Sequence, residues 1–311
     1  MSLLRAGLHW ALQRVCPCEL NVSRRVSDIP SLSDLLVNSL VRRALEEDLG
    51  QGDDITSRAV IPEGVCTRAE FVVRGEGVVA GLHPARLAMK LVDPSLVLDV
   101  QTTDGLRVCA GEVIAVVQGS ARSILSSERT VLNFLGHLSG VATATHTLVS
   151  AVKGTGAKIC CTRKTTPGLR ALEKHAVRVG GGVSHRYSLD GAILIKDNHI
   201  ALAGDVRSAV EAARAATGPV TPLEIEVDTL DQLVEALELH VAVILLDNMS
   251  PALLRQAVEI TDGRAVLEAS GGVMPETVRE IAGTGVDYIS SGWMTQSAPA
   301  IDYGLDLLHP I

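Results

Sequence analysis

The 311-residue sequence predicts an α/β protein with two domains, a small α+β domain followed by an α/β barrel that falls short of eight strands. From residue 29 to about 133, short apolar runs are separated by Gly, Asp and Pro turns, which is typical of a mainly antiparallel sheet. From residue 134 onward, apolar runs of strand length alternate with segments of helical spacing. The predicted strand ends in this second part lie roughly 20 to 35 residues apart, the period of a βα repeat.

Composition narrows the possible functions. Aromatic residues make up only 2% of the chain, which argues against a nucleic-acid partner whose bases stack on aromatic rings. No run of about 20 apolar residues occurs, so the sequence predicts no transmembrane helix and no membrane partner. The six cysteines form no CxxC pair and no zinc-ligand spacing, and we therefore expect reduced thiols and a cytoplasmic protein. Residues 1–28 lack a long apolar core and a small-residue cleavage site, so we expect a poorly ordered extension rather than a targeting segment.

The first domain is predicted to begin with an amphipathic helix. Apolar residues recur at helical spacing over 32–48, with Ser31 or Ser33 as the cap and Gly50 at the end. A helix over HPARLAMKLV then interrupts the strands of the antiparallel sheet. These strands are AEFVVR, GVVAG, LVLDVQ and EVIAVVQGS.

A long apolar-rich helix is predicted to link the two halves, with Ser126 or Ser127 near its start. The terminal segment QSAPAIDYGLDLLHP is expected to return to the first domain. The predicted division is therefore an extension over 1–28, a first domain over 29–133 with 293–311 returning to it, and a barrel over 134–292.

The barrel prediction depends on a regular alternation of strands and helices. The predicted helices are GLRALEKHAVRV, DQLVEALEL, PALLRQAVEI and PETVREIAG. The predicted strands between them are ICCT, AILI, LEIEVD, VAVILLD, AVLEASG and VDYISSG.

One stretch of the barrel is basic although the chain as a whole has a net charge of −8. Residues 158–199 contain eight Lys or Arg residues and three Asp or Glu residues. Such a local excess favours a small anionic ligand, because nucleic-acid surfaces spread their positive charge more broadly.

In α/β barrels the groups that do chemistry stand at the carboxyl ends of the strands. Basic residues predominate at the first strand ends of the barrel and acidic residues at the middle ones. One side of the barrel opening can therefore bind anions while the other binds a metal ion or sugar hydroxyls, as a phosphorylated sugar with Mg²⁺ requires. Glycines after the last strands offer backbone amides to a phosphate. The candidate side chains are those of Thr162, Arg163, Lys164, Lys196, Glu226, Asp228, Asp247, Glu268, Ser270 and Ser291, and the glycines are Gly271, Gly272 and Gly292.

Several of these residues also have purely structural interpretations. Arg163 and Lys164 could be a solvated loop pair, and Glu226 a buried structural ion pair. Asp247 could cap the following helix. By spacing alone, Arg129 is a surface residue in a first helical turn.

A family resemblance resolves some of these alternatives. The segments TRKTTPGLRALEKHAVRVGGGVSHR, ILIKDNH, IEVD, ILLDN and EASGG together resemble the quinolinate phosphoribosyltransferases, also called nicotinate-nucleotide pyrophosphorylases (carboxylating). The resemblance extends from about Leu40 to Gly304. It implies a small α/β sandwich domain followed by an incomplete α/β barrel of seven strands or so. It also implies transfer of phosphoribose from phosphoribosyl pyrophosphate to quinolinate with Mg²⁺, giving nicotinate mononucleotide, pyrophosphate and CO₂ in de novo NAD biosynthesis.

The resemblance also implies roles for individual residues. Lys164, His185, Glu226 and Asp247 are expected to be catalytic, and Glu226 and Asp247 are expected to hold the metal, directly or through water. Either Lys164 or His185 could protonate the carbanion left by decarboxylation. The expected substrate-binding residues are Arg129, Thr162, Arg163, Lys164, His185, Arg186, Lys196, Glu226, Asp247, Ser270, Gly271, Gly272 and Gly292.

Arg129 has a special place among them, because in the family this arginine reaches into the neighbouring subunit's site. The resemblance therefore implies a homodimer or a higher assembly. Three rival functions remain open: a Schiff-base aldolase barrel that uses Lys196, a family homologue with another substrate, and a non-catalytic phosphate-binding scaffold.

Overall fold

The computed structural model of the protein describes residues 29–310, so the predicted extension over 1–28 lies outside the described residues. No helix within 29–310 is long and apolar enough to span a membrane.

The first part of the chain forms two small antiparallel sheets with helices packed against them. The elements are α1 (Asp34–Leu49), α2 (Ile55–Val60), β1 (Cys66–Val73), β2 (Gly77–Val78), α3 (Leu82–Val92), β3 (Val97–Val100), β4 (Arg107–Val108) and β5 (Val113–Ser120), and β12 (Tyr303–Pro310) joins from the end of the chain. The larger sheet has four strands in the order β12-β1-β5-β3, and in the smaller sheet β2 pairs with β4. This confirms the mainly antiparallel sheet predicted for this half.

The long linking helix α4 covers Ala121–Ala151 and begins earlier than predicted. Its cap is Ser120, whose hydroxyl accepts a hydrogen bond from the Ser123 N–H at 3.4 Å. Strand β5 therefore runs directly into the helix, and the start predicted at Ser126 or Ser127 is wrong. Ile124 is fully buried, so the first turns are held by packing rather than by those serines.

The second part of the chain alternates strands and helices, as its periodicity predicts. The elements are β6 (Lys158–Cys160), α5 (Arg170–Val179), β7 (Ile193–Ile195), α6 (Asp197–Ala203), α7 (Val206–Ala215), β8 (Leu223–Val227), α8 (Leu230–Glu238), β9 (Val243–Asp247), α9 (Pro251–Thr261), β10 (Val266–Ser270), α10 (Val278–Ala282), β11 (Tyr288–Ser290) and α11 (Trp293–Gln296). All neighbours in the six-stranded sheet, of order β6-β11-β10-β9-β8-β7, are parallel. Helices α6, α7 and α11 are additional to the predicted ones.

The barrel is incomplete, with six parallel strands where seven or so were expected. Within the described part of the chain the sheet does not close, and a single parallel bridge between Cys160 and Val183 extends the edge at β6. The glycines before Val183 lie against helix α4. A Cβ on Gly180 would come within 2.4 Å of the Ala142 carbonyl oxygen. This run is therefore shaped by close packing on α4 rather than by strand pairing.

The end of the chain returns to the first sheet, where β12 pairs antiparallel with β1. Helix α4 contacts both α3 of the first part and α5 of the second. The domain limits at 133/134 and 292/293 stay predictions.

Candidate active site

A cleft of about 490 Å³ opens at the carboxyl ends of the parallel strands. It brings together all the predicted substrate-binding residues except Arg129 and Gly292. Gly292 borders the cleft, because a Cβ on it would lie 2.8 Å from the Lys164 side chain. The lining residues are Thr162, Arg163, Lys164, His185, Arg186, Leu194, Lys196, Glu226, Leu245, Asp247, Asn248, Glu268, Ser270, Gly271, Gly272 and Ser290.

The two-residue period of the strands explains this convergence. Alternate residues of a strand face the same side, so Leu194 and Lys196 both line the cleft, while Ile195 between them is buried on the other face. The same alternation places Leu245 with Asp247, and Glu268 with Ser270, on the cleft side.

The cationic side of the cleft is formed by the segments that follow β6 and Val183. The Nε atoms of Arg163 and Arg186 are buried and have no hydrogen-bond partner within the described residues. Burial lowers the pKa of Arg186, and the charge of Arg163 lowers it further. Since buried guanidinium N–H donors normally have a hydrogen-bond partner, the two Nε–H groups can donate to an anionic ligand.

Helix α5 holds the two cationic segments together. In its first turn, Arg170 donates to the Thr165 hydroxyl at 3.0 Å and to the Tyr187 carbonyl at 3.2 Å. Buried Lys174 donates to the His185 carbonyl at 3.0 Å. The side chains of Arg170 and Lys174 therefore hold the cleft-lining segments in place and do not themselves line the cleft.

Beneath the cations lies a cluster of His185, Glu224 and Glu268. His185 Nε2 is 2.9 Å from a Glu224 carboxylate oxygen and 3.8 Å from a Glu268 oxygen, while Nδ1 accepts the Arg186 N–H at 2.8 Å. The hydrogen bond to Glu224 raises the pKa of His185. Burial, reinforced by the charge of Glu224, raises the pKa of Glu268 to about 7.

Glu224 was not among the candidate residues, and Glu268 was a strand-end candidate to which no role was assigned. A signal for Glu224 was present, because it stands two residues before Glu226 in the strand LEIEV and so faces the same side. The proximity of Glu268 to His185 depends on contacts across the sheet.

The acidic side of the cleft is formed by Glu226 and Asp247 on neighbouring strands. Glu226 is 8% exposed and forms an ion pair with the Lys196 ammonium group. Asp247 accepts a hydrogen bond from the Asn248 side chain at 2.6 Å. It does not cap the next helix, because Ser250 caps α9.

These two carboxylates suit a magnesium ion that also binds a substrate's phosphates. Glu226 is in register with Leu245, two residues before Asp247, so the two carboxylates stand on the same face of adjacent strands. Their Cα atoms are then roughly 8 Å apart, from strand spacings of about 4.8 Å and a rise of about 3.3 Å per residue. Mg²⁺ is usually held by one or two protein carboxylates together with water and phosphate oxygens.

The turn after β10 requires glycine. Gly271 has φ +100°, and a Cβ there would lie 2.1 Å from the Asn248 side-chain oxygen. Gly272 follows with φ +57° and has open space beside it. Both glycines line the cleft, and the predicted binding of a phosphate by their backbone N–H groups stays a prediction.

Comparison with known proteins identifies the family. The model of the quinolinate phosphoribosyl transferase N-terminal domain matches residues 54–139, and that of the C-terminal domain matches residues 141–306. The chain belongs to the quinolinate phosphoribosyltransferase family. It is similar to the nicotinate-nucleotide pyrophosphorylase (carboxylating) of Mycobacterium leprae, with 48% identity over 86% of this chain and 95% of that protein. A probable nicotinate-nucleotide pyrophosphorylase (carboxylating) of Bacillus subtilis is 41% identical over 89% of this chain and 95% of its own length.

Solved structures carry the same fold. The crystal structure of NadC from Streptococcus pyogenes has a TM-score of 0.86 and 38% sequence identity, covering 90% of this chain and 100% of that chain. Family membership and the predicted fold class are thus both confirmed.

Arg129 is the predicted site residue that the single chain leaves apart from the cleft. It lies exposed in the third turn of α4, because the helix begins eight residues earlier, at Ala121, and not in a first turn as its spacing suggested. It lines a separate groove between α4 and the segment 300–303.

Proposed function

We propose that this quinolinate phosphoribosyltransferase transfers phosphoribose from phosphoribosyl pyrophosphate to quinolinate with loss of CO₂, giving nicotinate mononucleotide and pyrophosphate. The observation that carries the proposal is the divided cleft, with two arginines whose Nε atoms are buried on one side and two strand-end carboxylates on the other. In a member of this family, that division matches a dicarboxylate substrate beside a phosphorylated sugar.

The cationic side suits quinolinate, which carries two adjacent carboxylates. Arginine guanidinium groups bind carboxylates through paired N–H donors. The unpartnered Nε atoms of Arg163 and Arg186 supply such donors, and His185 and Lys196 lie beside them. Thr162 shapes the turn, because its hydroxyl accepts the Lys164 N–H at 2.9 Å.

The acidic side suits the ribose. Breaking the bond to pyrophosphate develops positive charge at the anomeric carbon, and the carboxylates of Glu226 and Asp247 would stabilise that charge. The same two residues would hold Mg²⁺, which when bound would neutralise charge on the pyrophosphate oxygens. The backbone amides at Gly271, Gly272 and Gly292, with the Ser270 hydroxyl, would receive the phosphates.

Decarboxylation then leaves a carbanion at ring carbon 2, beside the ribosylated nitrogen, and this carbanion needs a proton. Both nitrogens of His185 are engaged, one with Glu224 and the other with the Arg186 N–H. Lys164 is exposed, and its ammonium group has no hydrogen bond or ion pair among residues 29–310. Of the two predicted donors, the geometry therefore favours Lys164.

We further propose a cytoplasmic homodimer in which Arg129 completes the partner's cleft. Its exposure on α4 and its separation from its own cleft support this arrangement. The buried free thiols of Cys160 and Cys161 fit a reducing compartment.

The aldolase alternative is disfavoured because Lys196 is tied to Glu226 rather than standing free as a nucleophile. Purified protein with Mg²⁺ and phosphoribosyl pyrophosphate should convert quinolinate but not nicotinate, which lacks the carboxylate at carbon 2. Chromatographic detection of nicotinate mononucleotide gives the readout. Turnover of nicotinate in place of quinolinate would instead indicate a family homologue with another substrate.

A further inference from the structure

Two acidic side chains beside His185 have no part in the reaction described so far. Glu224 and Glu268 are 8% and 5% exposed. Each offers an oxygen such that these atoms and the His185 ring nitrogen all lie within 4.8 Å of one another. Two carboxylates so close together and so buried cannot both be ionised without a large free-energy cost.

Hydrogen bonding shows where the proton of this cluster resides. His185 Nδ1 accepts the Arg186 N–H, so that nitrogen carries no proton. The proton on Nε2 points to Glu224 at 2.9 Å, which makes Glu224 the ionised acceptor. Glu268, at 3.8 Å from Nε2, is beyond hydrogen-bond distance and gains no such stabilisation as an anion. Glu268 is therefore the group that stays protonated.

The charge of His185 lowers the pKa of Glu268 but does not outweigh burial and the charge of Glu224. Among residues 29–310, no Lys or Arg side chain forms an ion pair with Glu268. Cys160 on β6 is a neutral thiol, since burial raises its pKa. Ser290 on β11 contributes only a hydroxyl, which opposes the rise in the pKa of Glu268 without cancelling it. Lys174 on α5 is engaged with Cys161 and with the His185 carbonyl. Leu245, its neighbour on β9, is apolar.

We propose that Glu268 is a positioning residue whose neutral carboxyl is the form that admits quinolinate, and that its ionisation weakens quinolinate binding. This inference rests on the proposed function. An ionised Glu268 would add a negative charge to the cleft that must receive a dianion. It would also compete with Glu224 for the His185 Nε2 proton and so disturb the Arg186 N–H held by the same ring.

Calorimetric titration of quinolinate into the full chain from pH 6 to pH 8.5 tests this coupling. Quinolinate stays a dianion over this range, so the protein supplies the pH dependence. With a pKa of about 7 for Glu268, wild-type affinity should fall about tenfold between pH 6 and pH 8. Glu268→Gln keeps the shape and the neutral charge, so its affinity should depend on pH much less than that of the wild type. The exposed Glu238→Gln, at the end of α8, is the matched control and should follow the wild type.

Proton uptake gives a second readout. In buffers of different ionisation enthalpy at pH 7.5, the wild type should take up protons on binding quinolinate, and Glu268→Gln should take up fewer. Equal pH dependence or equal uptake in the two proteins would overturn the inference. If Glu268→Gln does not fold, the wild type alone decides: no proton uptake overturns the inference, whereas proton uptake together with the tenfold loss of affinity supports it. Absence of quinolinate binding at every pH would instead refute the proposed function, and this inference with it.

Discussion

Replacement of Lys196 by alanine should weaken quinolinate binding by about ten- to a hundredfold. The ammonium group lies in the cleft and forms an ion pair with Glu226. A charge-assisted contact to a substrate carboxylate is worth roughly 1.5 to 3 kcal/mol, which gives this range of affinity. Arg163→Ala should have an effect of the same size, because its buried Nε has no hydrogen-bond partner among residues 29–310.

The ion pair adds a second, separable effect of Lys196→Ala. It leaves the Glu226 carboxylate, 9% exposed, without its cation, while the lysine side chain itself is 43% exposed. We therefore expect a loss of stability of about 1 to 2 kcal/mol, below the range for fully buried pairs. Adding Glu226→Gln should recover most of that stability but not the quinolinate affinity.

Calorimetry of quinolinate binding and denaturant unfolding measure the two effects, with the exposed Lys153→Ala as the control. Unchanged quinolinate affinity in both Lys196→Ala and Arg163→Ala would refute this placement of the substrate site.

Three further predictions concern the rate, the assembly and the stability. Glu226→Gln should lower the rate at saturation more than quinolinate affinity, and the reverse pattern in steady-state kinetics would exclude transition-state stabilisation by Glu226. Arg129→Ala and Lys164→Ala should each be inactive, but co-expression should restore up to about a quarter of wild-type activity, because half of the dimers are mixed and each has one intact site. No recovery despite mixed dimers in mass spectrometry would show that Arg129 does not serve the partner. Burial raises the pKa of Glu268 from 4.5 to about 7, so Glu268 stays protonated up to a higher pH in the folded state than in the unfolded chain. The free energy of unfolding of the wild type should therefore fall as the pH rises through this range. Measured by urea unfolding, the free energy of unfolding of Glu268→Gln should rise by about 2 to 3 kcal/mol relative to that of the wild type between pH 5 and pH 8, and a constant difference would contradict the assignment.

Much of the cleft could be predicted because strands have a strict two-residue period. Lys196, Glu226 and Asp247 each end or follow a short apolar run, and parallel strands bring such ends to one edge of the sheet. The helical spacing of GLRALEKHAVRV likewise predicted helix α5.

The errors arise where tertiary contacts override local signals. Serines near residue 126 resemble a helix start, but packing of Ile124 extends α4 back to Ala121. The glycine run before Val183 is a second case, because it packs closely on α4, a contact that no local pattern reports.

The unpredicted part of the site lies in contacts between strands distant in sequence. Glu268 and His185 meet across the sheet, and no local pattern reports their distance. The proposed role of Arg129 involves a second chain, and residue spacing within one chain carries no information about it.

The most direct test of the proposed activity is a product balance with quinolinate labelled at the carboxylate on carbon 2. With phosphoribosyl pyrophosphate and Mg²⁺, the protein should release labelled CO₂, pyrophosphate and nicotinate mononucleotide in equal amounts. It should release no CO₂ when phosphoribosyl pyrophosphate is omitted. Binding of both substrates without CO₂ release would favour a phosphate-binding scaffold, and retention of the label in the nucleotide would contradict the decarboxylating reaction.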